Sequence, residues 1–160
     1  VSASFFGNFG ALKEKTRVSH PGRILAIDYG RKRVGLAVTD PLQLIATRLC
    51  TVGSSEIWQY LERYFSREKV VKVIIGYPLQ MNNEPSRAVS DINLFIRKFI
   101  QKYPEMAIEQ VDERFTSKLA MRAMIDGGVK KHDRMDKSMV DGVSATIMLQ
   151  SYLDQIKTRQ

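Results

Sequence analysis

The chain has a single cysteine, Cys50, in 160 residues. A lone thiol closes no intrachain disulfide, so no disulfide framework holds this fold, and the usage fits a reducing cytosol. Long apolar runs are missing too. No uninterrupted stretch approaches the roughly 18–20 residues needed to cross a bilayer, so no membrane partner is expected and the location read from the sequence is cytoplasmic. Acid is in short supply: 17 Asp and Glu stand against 25 Lys and Arg, a formal charge of +8. A cation excess of that size suits a polyanionic partner such as nucleic acid and a merely basic soluble protein equally well, and where the charge sits tips the balance to the former. There is no internal repeat and no low-complexity tract. With 44% hydrophobic residues, what remains is one globular domain with one core of ordinary size.

The first 21 residues have no sustained period. Phe5, Phe6 and Phe9 are interleaved with Gly7, Asn8 and Gly10, and Lys13, Lys15 and Arg17 precede Pro21-Gly22. The apolar core and cleavage motif of a signal peptide are absent. Residues 1–21 are read as a loosely ordered extension and 22–156 as the folded domain.

Within that domain, residues 23–29 and 34–39 are short β-branched and apolar runs joined by Gly30-Arg31-Lys32-Arg33, a hairpin signature. A third strand over 46–52 completes a meander. Ser54 or Ser55 is the expected cap of a helix whose inward face is Ile57, Leu61, Tyr64 and Phe65. Val70–Ile75 reads as a buried parallel strand that stops at Gly76-Tyr77-Pro78. The next helix presents Ala88, Ile92, Phe95, Phe99 and Tyr103 on one face and ends before Pro104. Ile108–Asp112 is the last strand. Thr116 is the expected cap of a helix ending at Gly127-Gly128. Residues 129–137 read as a polar, basic, mobile loop that includes His132, and a final helix spans 138–156. The order predicts an α/β fold: a mixed five-stranded sheet with helices on both faces.

Three acids stand where a folded chain does not place a carboxylate without use for it. Asp28 ends the apolar run Ile24–Ile27, Glu113 ends the last strand-like run, and Asp141 shares a helical stripe with Ala145, Met148 and Tyr152. If the first, fourth and fifth strands are neighbours, all three converge at one end of the sheet. Oxygen ligands from separate elements suit Mg²⁺ or Mn²⁺. Two such ions about 3.5–4 Å apart activate a water and stabilise the leaving oxygen of a phosphodiester. Cations rim the acids: Arg31, Lys32 and Arg33 follow Asp28, Arg114 follows Glu113, and Lys130, Lys131, Arg134 and Lys137 lead to Asp141. Arg114 and Lys137 have two readings each, phosphate contact or simple neutralisation of the adjacent acid. Asp112 competes with Glu113 for the site, since neighbouring strand residues face opposite ways.

The run Asp28-Tyr29-Gly30-Arg31-Lys32-Arg33-Val34-Gly35-Leu36-Ala37 resembles the opening motif of the YqgF family, a branch of the RNase H-like, RuvC-resolvase-related nucleases. Three further matches follow in order. They are Ile75-Gly76-Tyr77-Pro78-Leu79, Val111-Asp112-Glu113-Arg114-Phe115-Thr116-Ser117 and Lys137-Ser138-Met139-Val140-Asp141-Gly142. Tyr77 stands where the family usually has Leu, a change expected in the wall beside the site. The resemblance implies an RNase H-like fold with Asp28, Glu113 and Asp141 as catalytic, metal-binding residues. It implies a nuclease maturing the 5′ end of small-subunit (16S) ribosomal RNA precursor, or a resolvase of branched DNA. Monomer and homodimer both remain open. A ribosome-assembly factor that binds RNA without cutting it is the reading from another class. Nucleotide handling of the actin-like ATPase type carries little weight, because those proteins use two such domains.

Overall fold

The computed structural model describes residues 21–78, 87–112 and 122–159. Strands β1 (Arg23–Tyr29), β2 (Arg33–Thr39) and β3 (Ala46–Gly53) form the expected antiparallel meander. Helix α1 (Ile57–Arg67) leads to β4 (Val70–Tyr77), α2 (Arg87–Lys102) to β5 (Ala107–Asp112), and both strands run parallel to β1. The sheet order is β3-β2-β1-β4-β5, so the first, fourth and fifth strands are indeed neighbours. Helical residues 122–126 (α3), a single turn α4 (Lys131–Arg134) and the long α5 (Lys137–Thr158) complete the described chain.

Strand alternation divides the core into two layers. Leu25 and Ile27 of β1 pack with Ile57 and Leu61 of α1 and Ile92, Phe95 and Phe99 of α2. Ile24 and Ala26 point the other way, onto Ala145, Met148, Leu149, Tyr152 and Leu153 of α5. Those five positions are the i, i+3, i+4, i+7, i+8 stripe of an amphipathic helix. Helices therefore cover both faces of a mixed five-stranded sheet.

Several boundaries differ from the sequence reading. Glu56, not Ser54 or Ser55, occupies the N-cap position of α1, with no side-chain capping bond. Ser54 is committed elsewhere: its hydroxyl donates to the Arg31 carbonyl at 2.7 Å, and its N–H donates to the Lys32 carbonyl at 3.0 Å. β4 continues through Gly76 and Tyr77 because β5 keeps pairing with it there. Ala88 is exposed, so the inward stripe of α2 begins at Ile92. Residues 131–134 form a helical turn rather than a loop, and His132 on it is exposed beside Asp133. The Thr116 cap and residues 1–20 lie outside the described residues.

The β2–β3 loop is organised by one carboxylate. Asp40 accepts backbone N–H bonds from Leu44 (2.7 Å), Ile45 (2.9 Å) and Leu42 (3.1 Å). Its slight burial acts to raise the carboxyl pKa, but the backbone donors outweigh it and hold the group below its ordinary value. A carboxyl depressed on folding stabilises above its unfolded pKa, and that stabilisation is lost as pH falls through the folded value. Asp40→Ala is expected to lower stability by about 1 kcal/mol at neutral pH. Urea midpoints should show that gap closing as pH drops below about 4.

Candidate active site

Asp28 follows Ile24 and Ala26 at period two, which places it on the face that α5 covers, near the C-terminal end of the central strand. Its neighbours on that face are small. Asp28 pairs with Gly35 of β2, and Gly76 of β4 lies one residue beyond the Ile27–Ile75 pair. Both glycines are buried, so the half-buried carboxylate is flanked on the sheet by backbone rather than by side chains.

The turn after Asp28 is tight. The Gly30 N–H donates to the Arg33 carbonyl at 2.9 Å, and a Cβ on Gly30 would meet that carbonyl oxygen at 2.5 Å. Only glycine allows this approach without moving backbone. The turn projects Arg31 and Lys32 into solvent. Arg31 Nε lies 3.4 Å from Asp91 Oδ2 on α2. Both side chains are partly exposed, so this pair is worth at most about 1 kcal/mol and leaves the guanidinium recruitable by a stronger anion. Arg33 opens β2 and is half-buried.

α5 brings the backbone of Asp141 to its N-terminal part, four residues before buried Ala145. α4 packs on α5 and carries exposed Lys131, with exposed Lys130 just before it. Lys137 begins α5. Glu113 and Arg114 lie outside the described residues, as do the side chains of Asp141 and Lys137. Among the described residues, no group of three or more His, Cys, Asp or Glu side chains is placed to hold a metal. Asp28 itself is a hard oxygen donor, and that donor chemistry fits Mg²⁺ or Mn²⁺.

On the opposite face the strand ends are occupied differently. Tyr77 packs into the α1/α2 layer, and its hydroxyl donates to Asn93 Oδ1 at 3.1 Å. It is therefore no wall of the Asp28 side, contrary to the sequence expectation; Gly76 is the β4 residue that faces that side. Tyr29 packs on Phe95 with ring centroids 4.9 Å apart. Burial, then the Asp91 charge, raises its phenol pKa. Asp112 pairs in register with Tyr77, on the face opposite Val111.

One arginine escaped the sequence reading. Arg48 of β3 lies on the α5 face, opposite Ala37 and against Gly142. Counting alternately from Val52 and Cys50 assigns it to the other face, and a bulge reverses that count.

A polar cleft of about 430 Å³ lies further along, between β5 and α5. In it the Lys72 ammonium donates to the Tyr152 hydroxyl (2.9 Å), which donates to Glu109 Oε2 (2.8 Å). These charges offset one another, which marks a structural tie between sheet and helix.

The architecture has solved counterparts. The chain is similar to a RuvC of T. thermophilus solved in complex with a Holliday junction substrate, with a TM-score of 0.50 and 15% identity over 85% of this chain and 96% of that one. The fold is thus that of the RNase H-like α/β proteins. A family model described as "RuvX: Holliday junction resolvase" matches residues 22–155, and the chain belongs to that family. Curated relatives agree. A protein of Flavobacterium psychrophilum named "Putative pre-16S rRNA nuclease" is 56% identical over 82% of this chain and 96% of its own length. One of Bacteroides thetaiotaomicron with the same name is 52% identical over 82% and 96%. Both descriptions are of enzymes that cut phosphodiester backbones, and the chain is a nuclease. No helix among the described residues is long and apolar enough to cross a membrane.

Proposed function

We propose that this nuclease is a divalent-metal-dependent endonuclease that trims the 5′ end of small-subunit ribosomal RNA precursor, with Asp28, Glu113 and Asp141 as its metal-binding and catalytic carboxylates. The observation that carries the reading is the position of Asp28. It sits at the end of the central strand, between two glycines, on the face covered by the helix whose backbone includes Asp141. Glu113 follows Glu109 and Val111 at period two in the sequence, on the alternation that turns Val111 toward α5. The names of the curated relatives support RNA as substrate.

Mg²⁺ or Mn²⁺, bound as one ion or two, would supply Lewis-acid activation of water and charge stabilisation at the leaving 3′ oxygen. The chain's own contribution is placement. The three carboxylates would hold the cation at the C-terminal end of the central strand. Arg31, Lys32 and Arg33 from the turn, Arg114, and Lys130, Lys131 and Lys137 beside α5 guide the nucleic-acid backbone by charge. Hydrolysis leaves 5′-phosphate and 3′-hydroxyl ends.

Branched DNA is the second reading, favoured by the description of the family model. A resolvase that cuts a junction symmetrically acts as a dimer. End-labelled ribosomal RNA precursor, unrelated single-stranded RNA and a four-way DNA junction, each with Mg²⁺, Mn²⁺ or EDTA, separate the two. Metal-dependent cutting of the precursor is expected. Cutting confined to the junction, with a doubled solution mass in its presence, would transfer the assignment to DNA. Binding of RNA with no cutting under any condition would leave the chain as an assembly factor.

A further inference from the structure

The β2–β3 register slips at one point. Leu36 pairs with Cys50 and Ala37 with Arg48, which leaves Leu49 as an extra residue in β3. Leu49 and Cys50 both pack into the α1/α2 layer, whereas Ala37 belongs to the layer under α5. The bulge therefore turns Arg48 onto the α5 face, the re-aiming of a side chain that such insertions produce.

There Arg48 lies across α5 at Gly142. A Cβ built on Gly142 would fall 3.0 Å from Arg48 Cδ and 3.1 Å from Cζ. Gly142 is buried beneath the arginine and adjoins Asp141 in the chain. Glycine inside a helix costs about 1 kcal/mol relative to alanine, and the close approach of Arg48 supplies the reason for keeping it. Arg48 is exposed, and among the described residues it has no hydrogen-bond or ion-pair partner. Its row on the sheet runs through Ala37 to Ala26, two residues before Asp28. With strands about 4.8 Å apart and 3.4 Å per residue, the Arg48 and Asp28 Cα atoms are about 12 Å apart. A guanidinium on a long side chain spans much of that gap.

We infer that Arg48 grips a backbone phosphate flanking the scissile one, and that Gly142 is kept small to let it lie there. The inference rests on the nuclease reading above and adds a substrate-binding residue to it. The planar fork of arginine suits a phosphate bidentately. A basic residue held out to solvent, with no carboxylate partner among the described residues, is available to take one.

The test is equilibrium binding of a fluorescent single-stranded RNA in EDTA, across a series of salt concentrations, with cleavage followed separately in Mg²⁺. Arg48→Ala is expected to bind about tenfold more weakly near physiological salt. Its salt slope should be shallower by about 0.7, as for one lost phosphate contact on a single strand. Arg48→Lys should keep the slope while losing part of the affinity. Gly142→Ala should weaken binding as well, with a melting temperature equal to or above that of wild type, because alanine favours the helix. Wild-type affinity and slope in Arg48→Ala would overturn the inference, and wild-type affinity in Gly142→Ala would remove the role of the glycine. Should Gly142→Ala fail to fold, the exposed Arg48 variants carry the test alone. A wild type that shows the Arg48-dependent slope and cuts nothing sinks the nuclease reading and leaves Arg48 as an RNA-backbone contact only. A wild type that cuts, with affinity and KM untouched by Arg48→Ala, sinks this one alone. No RNA binding by the wild type sinks both.

Discussion

Asp28→Asn is expected to reduce kcat by about 10³-fold, equivalent to the several kcal/mol of charge stabilisation that a catalytic cation provides. The amide keeps the size and shape of the carboxylate but not its charge. Asp28 sits at a strand end flanked by Gly35 and Gly76, so no packing is disturbed by the change. The variant should therefore fold, with a melting temperature close to that of the wild type. RNA binding in EDTA should be retained or strengthened. Single-turnover cleavage with thermal melting on the same preparations checks all three outcomes. A folded Asp28→Asn that cuts within tenfold of wild type would remove Asp28 from the catalytic group.

Phe99→Ala carries the largest expected effect on stability, about 3–5 kcal/mol. Phe99 is fully buried in α2, and its ring meets Tyr103 at 5.1 Å, Phe95 at 6.2 Å and Phe65, edge-on, at 6.4 Å. A phenyl removed from among three other rings leaves a cavity that those rigid neighbours fill poorly. A loss of that size is a large part of the roughly 5–15 kcal/mol that holds a typical domain. The urea midpoint should fall with its slope unchanged. Phe99 lies on the face of the sheet opposite Asp28, so at low temperature the folded fraction should cut with wild-type kcat. A kcat defect in fully folded protein would show that the two faces are coupled through the sheet.

The hairpin, the sheet order and the amphipathic stripe of α5 were legible in the sequence because each rests on local rules. Gly30 punctuates two apolar runs, strands alternate with helices after the meander, and Ala145, Met148 and Tyr152 recur at helical spacing. Asp28 was legible for the same reason, as a charge closing an apolar strand. What escaped the sequence depended on contacts between distant segments. Ser54 has the chemistry of a cap, but its hydroxyl is taken by the Arg31 carbonyl 23 residues earlier in the chain. Tyr77 sits in a motif tied to the site, yet the strand's pleat sends it to the other face. Arg48 was hidden by a single extra residue. Alternation is a two-state count, and one bulge inverts every assignment beyond it. A signal was present in Leu49-Cys50, two consecutive apolar residues within an otherwise alternating strand, which regular pleating cannot bury on one face.

The two layers of the core also differ in when they can exist. The layer under α1 and α2 draws on residues up to Ile108, so it closes once the first two helices and β5 are made. The layer under α5 joins Ile24, Ala26, Ala37 and Ile74 to residues 145–153. Until that helix has been synthesised, one side of the sheet stays uncovered, with its apolar rows open to water. A growing chain thus passes through a half-built state that is sticky on the side of Asp28 and lacks Asp141 altogether. With Asp141 in the role proposed for it, cutting power would arrive with the last packing event, and unfinished chains would carry no active blade. They do carry an aggregation hazard, and folding on that side has to be fast once α5 emerges.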